Sequence, residues 1–184
     1  MANTATNVTV GKPNVSGAVY RAPIGTTLPT DATTALDAAF VPLGYVSEDG
    51  LSNNNELSVE ATKAWGGNIV LRSLTEMNDE FALTLIETKN VDVLKAVYGD
   101  ANVTVDASNN VTVNVIAEDP VEAGWVFELA LRGGIARRIV IPDGAITSRD
   151  EITYNDSDPV GYGITISAYP DASAKTHVEY TEGA

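Results

Sequence analysis

Cysteine is absent from this sequence of 184 residues, and histidine occurs once. The first absence removes a disulfide framework, a thiolate metal site and a cysteine nucleophile together. The second leaves any Ser-His-Asp arrangement dependent on His177, which stands near the end of the chain and is expected to be an exposed surface residue. One imidazole and no thiol also leave zinc or copper with carboxylates, which they seldom accept alone. Basic residues are scarce as well: 11 Lys and Arg face 25 Asp and Glu, a net charge of −14. Binding to nucleic acid or to an anionic membrane needs clustered cations, so neither is expected. The nearest approach to a cluster is Arg132, Arg137, Arg138 and Arg149. These read as ion pairs with part of the carboxylate excess, the alternative being a phosphate patch. Long apolar runs are missing too. Trp125-Val126-Phe127 stops at Glu128, and nothing approaches the ~20 residues of a membrane span. Met1-Ala2-Asn3-Thr4-Ala5-Thr6 has neither the basic start nor the apolar block of a signal peptide, so a soluble protein of the cytoplasm is expected.

The remaining sites of possible chemistry each have a plainer reading. Asn155-Asp156-Ser157-Asp158 is oxygen-rich but lacks the spacing and closing Glu of a calcium loop, and reads as a solvated turn before Pro159. Gly66-Gly67 and Gly133-Gly134 have no following Lys and no strand–loop–helix setting, so they mark a bulge or close backbone approach and not a phosphate loop. Asp49-Gly50 and Asp143-Gly144 are turn dipeptides. No pair among the carboxylates is singled out for glycoside chemistry. No catalytic, cofactor-binding or metal-binding residue is assigned, no cofactor is expected, and an enzyme is the reading with least support.

What the chain does contain is alternation with a period of two. Phe81, Leu83 and Leu85 share one face of a strand. Trp125, Phe127, Leu129 and Leu131 share another, as do Tyr162, Ile164, Ile166 and Ala168. Further strands are expected at 17–21, 41–46, 56–65, 68–74, 135–141 and 146–154, with an edge strand at 176–180. Two Asn-Val-Thr-Val strings flank Asp106-Ala107-Ser108-Asn109, which predicts a hairpin with a polar turn.

One segment departs from this pattern. Asn90 is a helix cap, Asp92 suits a first turn, Val91, Leu94 and Tyr98 form a stripe, and Gly99 stops the helix. A helix this short needs a sheet to lie on. The polar stretch from Ser47 to Asn55 stands between two strands and reads as the tip of a long hairpin. The first fifteen residues have few apolar anchors and read as an arm.

Several strings then take on meaning through their order. Gly17-Ala18-Val19-Tyr20-Arg21-Ala22-Pro23 leads to Gly25-Thr26-Thr27-Leu28-Pro29-Thr30-Asp31. Phe40-Val41-Pro42-Leu43-Gly44-Tyr45-Val46-Ser47-Glu48-Asp49-Gly50 follows, then Lys63-Ala64-Trp65-Gly66-Gly67, Leu85-Ile86-Glu87 and Val97-Tyr98-Gly99. This series resembles the major tail protein, or tail tube protein, of long-tailed, non-contractile bacteriophages. The likeness runs from Gly17 to Gly99, and the rest of the chain agrees in being β-rich.

The resemblance implies a mostly β fold, a β-sandwich of two crossed antiparallel sheets with one short flanking helix at about 91–98. It implies a single domain over 1–184, with an N-terminal arm at about 1–15 and a projecting hairpin at about 47–63. Hexameric rings would stack into a tube through which genomic DNA passes without specific binding. The hairpin would reach the neighbouring ring, with Glu48, Asp49, Ser52, Asn53, Asn54, Asn55 and Glu56 as inter-ring contacts. Partners would be further copies of the chain and the tail terminator, tape measure and distal tail proteins, within a virion assembled in the host cytoplasm. Acidity suits such a role, because basic walls would hold DNA and not release it. Closing a barrel between subunits would also remove exposed sheet edges. Two alternatives stay open at this point: a β-sandwich binding module, immunoglobulin-like or adhesin-like, and the tube protein of a contractile injection system.

Overall fold

The computed structural model describes residues 5, 8–14 and 18–183. Val15, Ser16 and Gly17, and much of the expected N-terminal arm, lie outside the described residues. The strands are β1 (Lys12–Pro13), β2 (Val19–Pro23), β3 (Val41–Pro42), β4 (Val46–Lys63), β5 (Ile69–Leu85), β6 (Val103–Val105), β7 (Val111–Val113), β8 (Ala123–Ala130), β9 (Ala136–Arg149), β10 (Tyr162–Ala168) and β11 (Val178–Thr181). The helix α1 (Val91–Tyr98) lies between β5 and β6. A hydrogen-bonded sheet runs in the order β3-β2-β8-β9-β10-β5-β4, with β1 also on β8 and β11 also on β9, while β6 and β7 pair separately. The fold is therefore mostly β and antiparallel, with one short helix among the described residues.

One strand carries the sheet from one layer to the other. Residues 136–141 of β9 pair with β8 on one side, while Arg137–Val140 pair with β11 on the other. From Gly144 to Arg149 the same strand pairs with β10. The dipeptide Asp143-Gly144, expected as a turn, instead lies inside β9 at this change of partner. A side chain at Gly144 would place its Cβ 3.1 Å from both the Ser167 carbonyl oxygen and Ile141 Cγ2. Glycine lets the backbones approach this closely without a neighbour having to give way. The buried indole of Trp125 donates its Nε1–H to the Gly144 carbonyl at 2.9 Å, which ties the bend to the core.

The fold-over brings strands that are not sheet neighbours face to face. Phe81 of β5 stacks on Phe127 of β8 with ring centroids 5.5 Å apart. Around this pair are the fully buried Trp125, Leu43, Leu85, Ile141, Ile164 and Ile166. Apart from Leu43 and Ile141, these are alternating positions that the sequence pattern placed on one face of each strand.

Helix α1 has the expected bounds and caps. Asn90 Oδ1 accepts from the Asp92 N–H at 3.0 Å, and Gly99, with φ at 97°, donates its N–H to the Lys95 carbonyl at 2.9 Å. Its buried face differs from the expected stripe: Val93, Leu94 and Val97 enter the core, and Val91 and Tyr98 pack at its margin. Tyr98 turns edge-on to Tyr162, where the Arg149 guanidinium lies 5.5 Å from its ring centroid. Other boundaries also shift. The expected strands at 135–141 and 146–154 are one strand, β9, ending at Arg149, and those at 56–65 and 68–74 are parts of far longer ones. Both double glycines are turns with positive φ and open space around them, not bulges.

Truncating Phe127 to alanine should lower the free energy of unfolding by about 3–5 kcal/mol in urea titrations followed by circular dichroism. Val59→Ala, on the exposed part of β4, should stay within about 0.5 kcal/mol of the parent.

Candidate functional site

Strands β4 and β5 are 18 and 17 residues long and form one hairpin turning at Ala64–Asn68. The turn is therefore not at Ser47–Asn55, where polarity suggested a tip. Those residues lie in β4, and Ser52, Asn53, Asn54 and Asn55 pair in register with Ala82, Phe81, Glu80 and Asp79. A run of asparagines is a poor strand by propensity. Here it pairs with a strand whose other neighbour is β10, so the sheet imposes the conformation. Glu48 and Asp49 sit apart from the other candidates, on a bulge between the pairs Val46↔Leu85 and Leu51↔Leu83.

The character of β5 changes at Asp79. From Asp79 to Leu85 alternate residues are buried, whereas every residue from Ile69 to Asn78 is exposed. The distal hairpin thus projects from the body as a two-stranded ribbon. Directly paired residues share a face of a ribbon, so the register assigns both of its sides. Leu57↔Met77, Val59↔Leu74, Ala61↔Arg72 and Lys63↔Ile69 continue the face that buries Phe81 and Leu83 in the core. Asn54↔Glu80, Glu56↔Asn78, Ser58↔Glu76, Glu60↔Ser73 and, next to the turn, Thr62↔Leu71 make up the other. One side of the ribbon is apolar with two cations, and the other carries four glutamates. The outer edge of β4 has no strand partner among the described residues.

Where ribbon meets body, a buried carboxylate gathers three donors. Asp79 is 2% exposed. Its Oδ1 accepts from Asn53 Nδ2 at 2.8 Å, and its Oδ2 accepts from Thr176 Oγ1 at 2.6 Å and from the His177 ring at Nδ1. His177 is thus not the exposed residue expected of a lone terminal histidine: its side chain is 16% exposed and edge-on to Phe81. A carboxylate on the core face needs donors, and the segment before β11 supplies them. The arrangement does not relay a proton, since Thr176 and His177 converge on the same oxygen and the imidazole does not lie between acid and hydroxyl.

Of the four arginines expected as ion pairs, Arg137 and Arg138 pair with carboxylates, and Arg149 lies over the Tyr98 ring instead. Arg138, buried, donates from Nε to Glu128 at 3.1 Å and from Nη1 to the Asp31 and Thr34 carbonyls at 2.8 and 2.9 Å. Arg137 pairs with Glu179. Asn155 forms the turn expected of its segment, its Oδ1 accepting from the N–H groups of Ser157 and Asp158. Among the described residues no group of three His, Asp or Glu side chains could hold a metal ion.

Burial acts to raise the Asp79 carboxyl, but donation from Thr176, Asn53 and His177 outweighs it and holds the group below the ordinary value of 3.8. A carboxyl lowered by folding contributes stability above its unfolded pKa and loses it as pH falls through the folded value. Melting temperature should therefore fall below about pH 3.8 more steeply in the parent than in Asp79→Asn. Asp79→Ala, which strands the donors, should cost about 1–3 kcal/mol at neutral pH.

No curated protein matches the chain significantly. Among solved structures, the anti-feeding prophage cap (AFP tube terminating cap) is similar at 11% identity, with 98% of this chain and 99% of that one covered and a TM-score of 0.47. The sheath/tube terminator of an extracellular contractile injection system, PVC, in its extended state is similar at 10% identity, with 91% and 96% covered and a TM-score of 0.41. The family described as phage tail tube protein matches residues 1–181. The chain belongs to the phage tail tube protein family, and is a structural component of the virion tail and not an enzyme.

Proposed function

We propose that this chain forms hexameric rings that stack into the tube of a long, non-contractile phage tail, through which genomic DNA passes during ejection. The observation that carries the reading is the amphipathic ribbon projecting from the body. The ordered resemblance from Gly17 to Gly99 supports the non-contractile, hexameric form. A lone subunit has no reason to extend Leu57, Val59, Leu74 and Met77 into water, where they are about half exposed or more. Covering what is left of each would contribute roughly 1 kcal/mol before the cost of association.

The whole chain acts as one domain, with the ribbon as its projecting part. Ser52, Asn53, Asn54, Asn55 and Glu56 form its proximal arm, and Glu48 and Asp49 stand at its root, so all seven contribute to the contact between rings. The face bearing Glu56, Glu60, Glu76 and Glu80 lines the lumen, where carboxylates give a polyanion nothing to bind. The apolar face meets neighbouring subunits, and the free edge of β4 pairs within the inner barrel. Repulsion between copies of charge −14 is screened over roughly 8 Å at physiological salt, so short-range burial prevails. The tube ends meet the tail terminator, tape measure and distal tail proteins, and assembly takes place in the host cytoplasm.

Purified protein should form rings or tubes in negative-stain micrographs, at high concentration or when seeded. Joining Leu57 to Met77 through an Asn-Gly turn should leave the circular dichroism spectrum and melting temperature nearly unchanged and abolish long tubes. Normal tubes from the trimmed protein would remove the ribbon from the contact. Tight, salt-sensitive binding of the assembled tube to duplex DNA would contradict an acidic lumen.

A further inference from the structure

The ribbon has a chemically distinct end. Residues 61–75 include Lys63 and Arg72 and no carboxylate, so all 25 Asp and Glu lie in the rest of the chain. At the turn stands Trp65, fully exposed at 106% beside the open Gly66 and Gly67. A large aromatic flanked by cations at the end of a projecting arm is the composition of a binding anchor, and it lacks an acceptor within its own neighbourhood.

An acceptor of matching character lies at the root of the same hairpin. The β4 bulge inserts Ser47–Gly50 between the pairs Val46↔Leu85 and Leu51↔Leu83. The displaced loop, with β1 and β2, encloses a groove of about 550 Å3. Its floor is Leu83, Phe127 and Leu129, and Glu48 and Asp49 stand at its rim. Lys12 also lines the groove, which is apolar below and net acidic above, as the tip is apolar and basic. From Leu51 to Trp65 the strand advances about 3.3 Å per residue, roughly 45 Å in all, so a straight ribbon cannot return to its own root.

We propose that Trp65 enters this groove on a second copy of the chain, with Lys63 and Arg72 pairing with that copy's Glu48 and Asp49. The inference rests on the tube reading above and names its contact. Tip to root joins two different surfaces, so each copy that fills one groove offers another, the head-to-tail arrangement that stacking one ring on the next requires. The strand length then limits the axial repeat to about 45 Å.

Tryptophan fluorescence tests the assignment directly, because the other indole, Trp125, is 1% exposed. Acrylamide should quench Trp65 strongly in the unassembled protein and several-fold less in tubes. Trp65→Ala should raise the concentration needed for assembly at least tenfold while leaving the circular dichroism spectrum unchanged. K63E/R72E should prevent tubes in sedimentation and microscopy, and adding E48K/D49K to it should restore them. If parent tubes form but Trp65 stays quenchable, or the exchanged charges fail to restore assembly, this contact is overturned and the tube reading stands. A parent that forms no rings or tubes even when seeded would overturn both.

Discussion

Between Val140 and Gly144, strand β9 exchanges β11 for β10 along one edge, while β8 stays on the other as far as the pair Ala123↔Gly144. Backbone amides cannot be left without partners inside a core, so a strand that passes between layers must exchange one ladder for another within a few residues. Glycine at position 144 makes the passage possible, and the Trp125 indole fixes it. The opposed layers, the Phe81–Phe127 stack and the position of β5 at the outer side of β10 all follow from this crossing. Since β5 is also half of the ribbon, the direction in which the ribbon leaves the body is set there as well.

Beyond Asp79 the ribbon departs from what stability alone would select. Its apolar side extends the core face past the point where the opposite layer ends, and its four glutamates lie on the other side. Mixing those charges over both sides would have made it more soluble. Their segregation divides the ribbon into a side that seeks cover and a side that repels anions. The buried carboxylate at its root contributes differently. Asp79 binds Asn53 of β4 and the segment before β11, so that the hairpin is joined by side chains to β11, which follows β10 along the same edge of β9.

Much of this was legible in the sequence where one periodicity acts alone. The alternation at 81–85, 125–131 and 162–168 gives core strands, and Asn90 and Gly99 frame the helix as found. Legibility fails where a distant partner overrides local composition. Ser52–Asn55 reads as a turn because nothing local favours a strand, and only pairing with 79–82 makes it one. Asp143-Gly144 has turn chemistry but lies in a ladder, for reasons set by Ser167 and Ile141. His177 looks like a surface residue until Asp79, almost a hundred positions away, is brought to it. The ribbon itself left a trace that could have been followed: Leu57, Val59 and Ala61 alternate without a break into Gly66-Gly67. An aspartate at 79, in phase with Phe81, Leu83 and Leu85, likewise signalled a buried polar position.

A ribbon of two strands with water on both sides is held by little besides its own ladder, and such structures are marginally stable in isolation. In a free subunit its distal part samples many shapes, and the first encounter between two subunits must remove that freedom on both sides at once. A subunit arriving at an existing tube end meets ordered neighbours and loses freedom on one side only. Growth is thereby fast where a template exists and slow where none does.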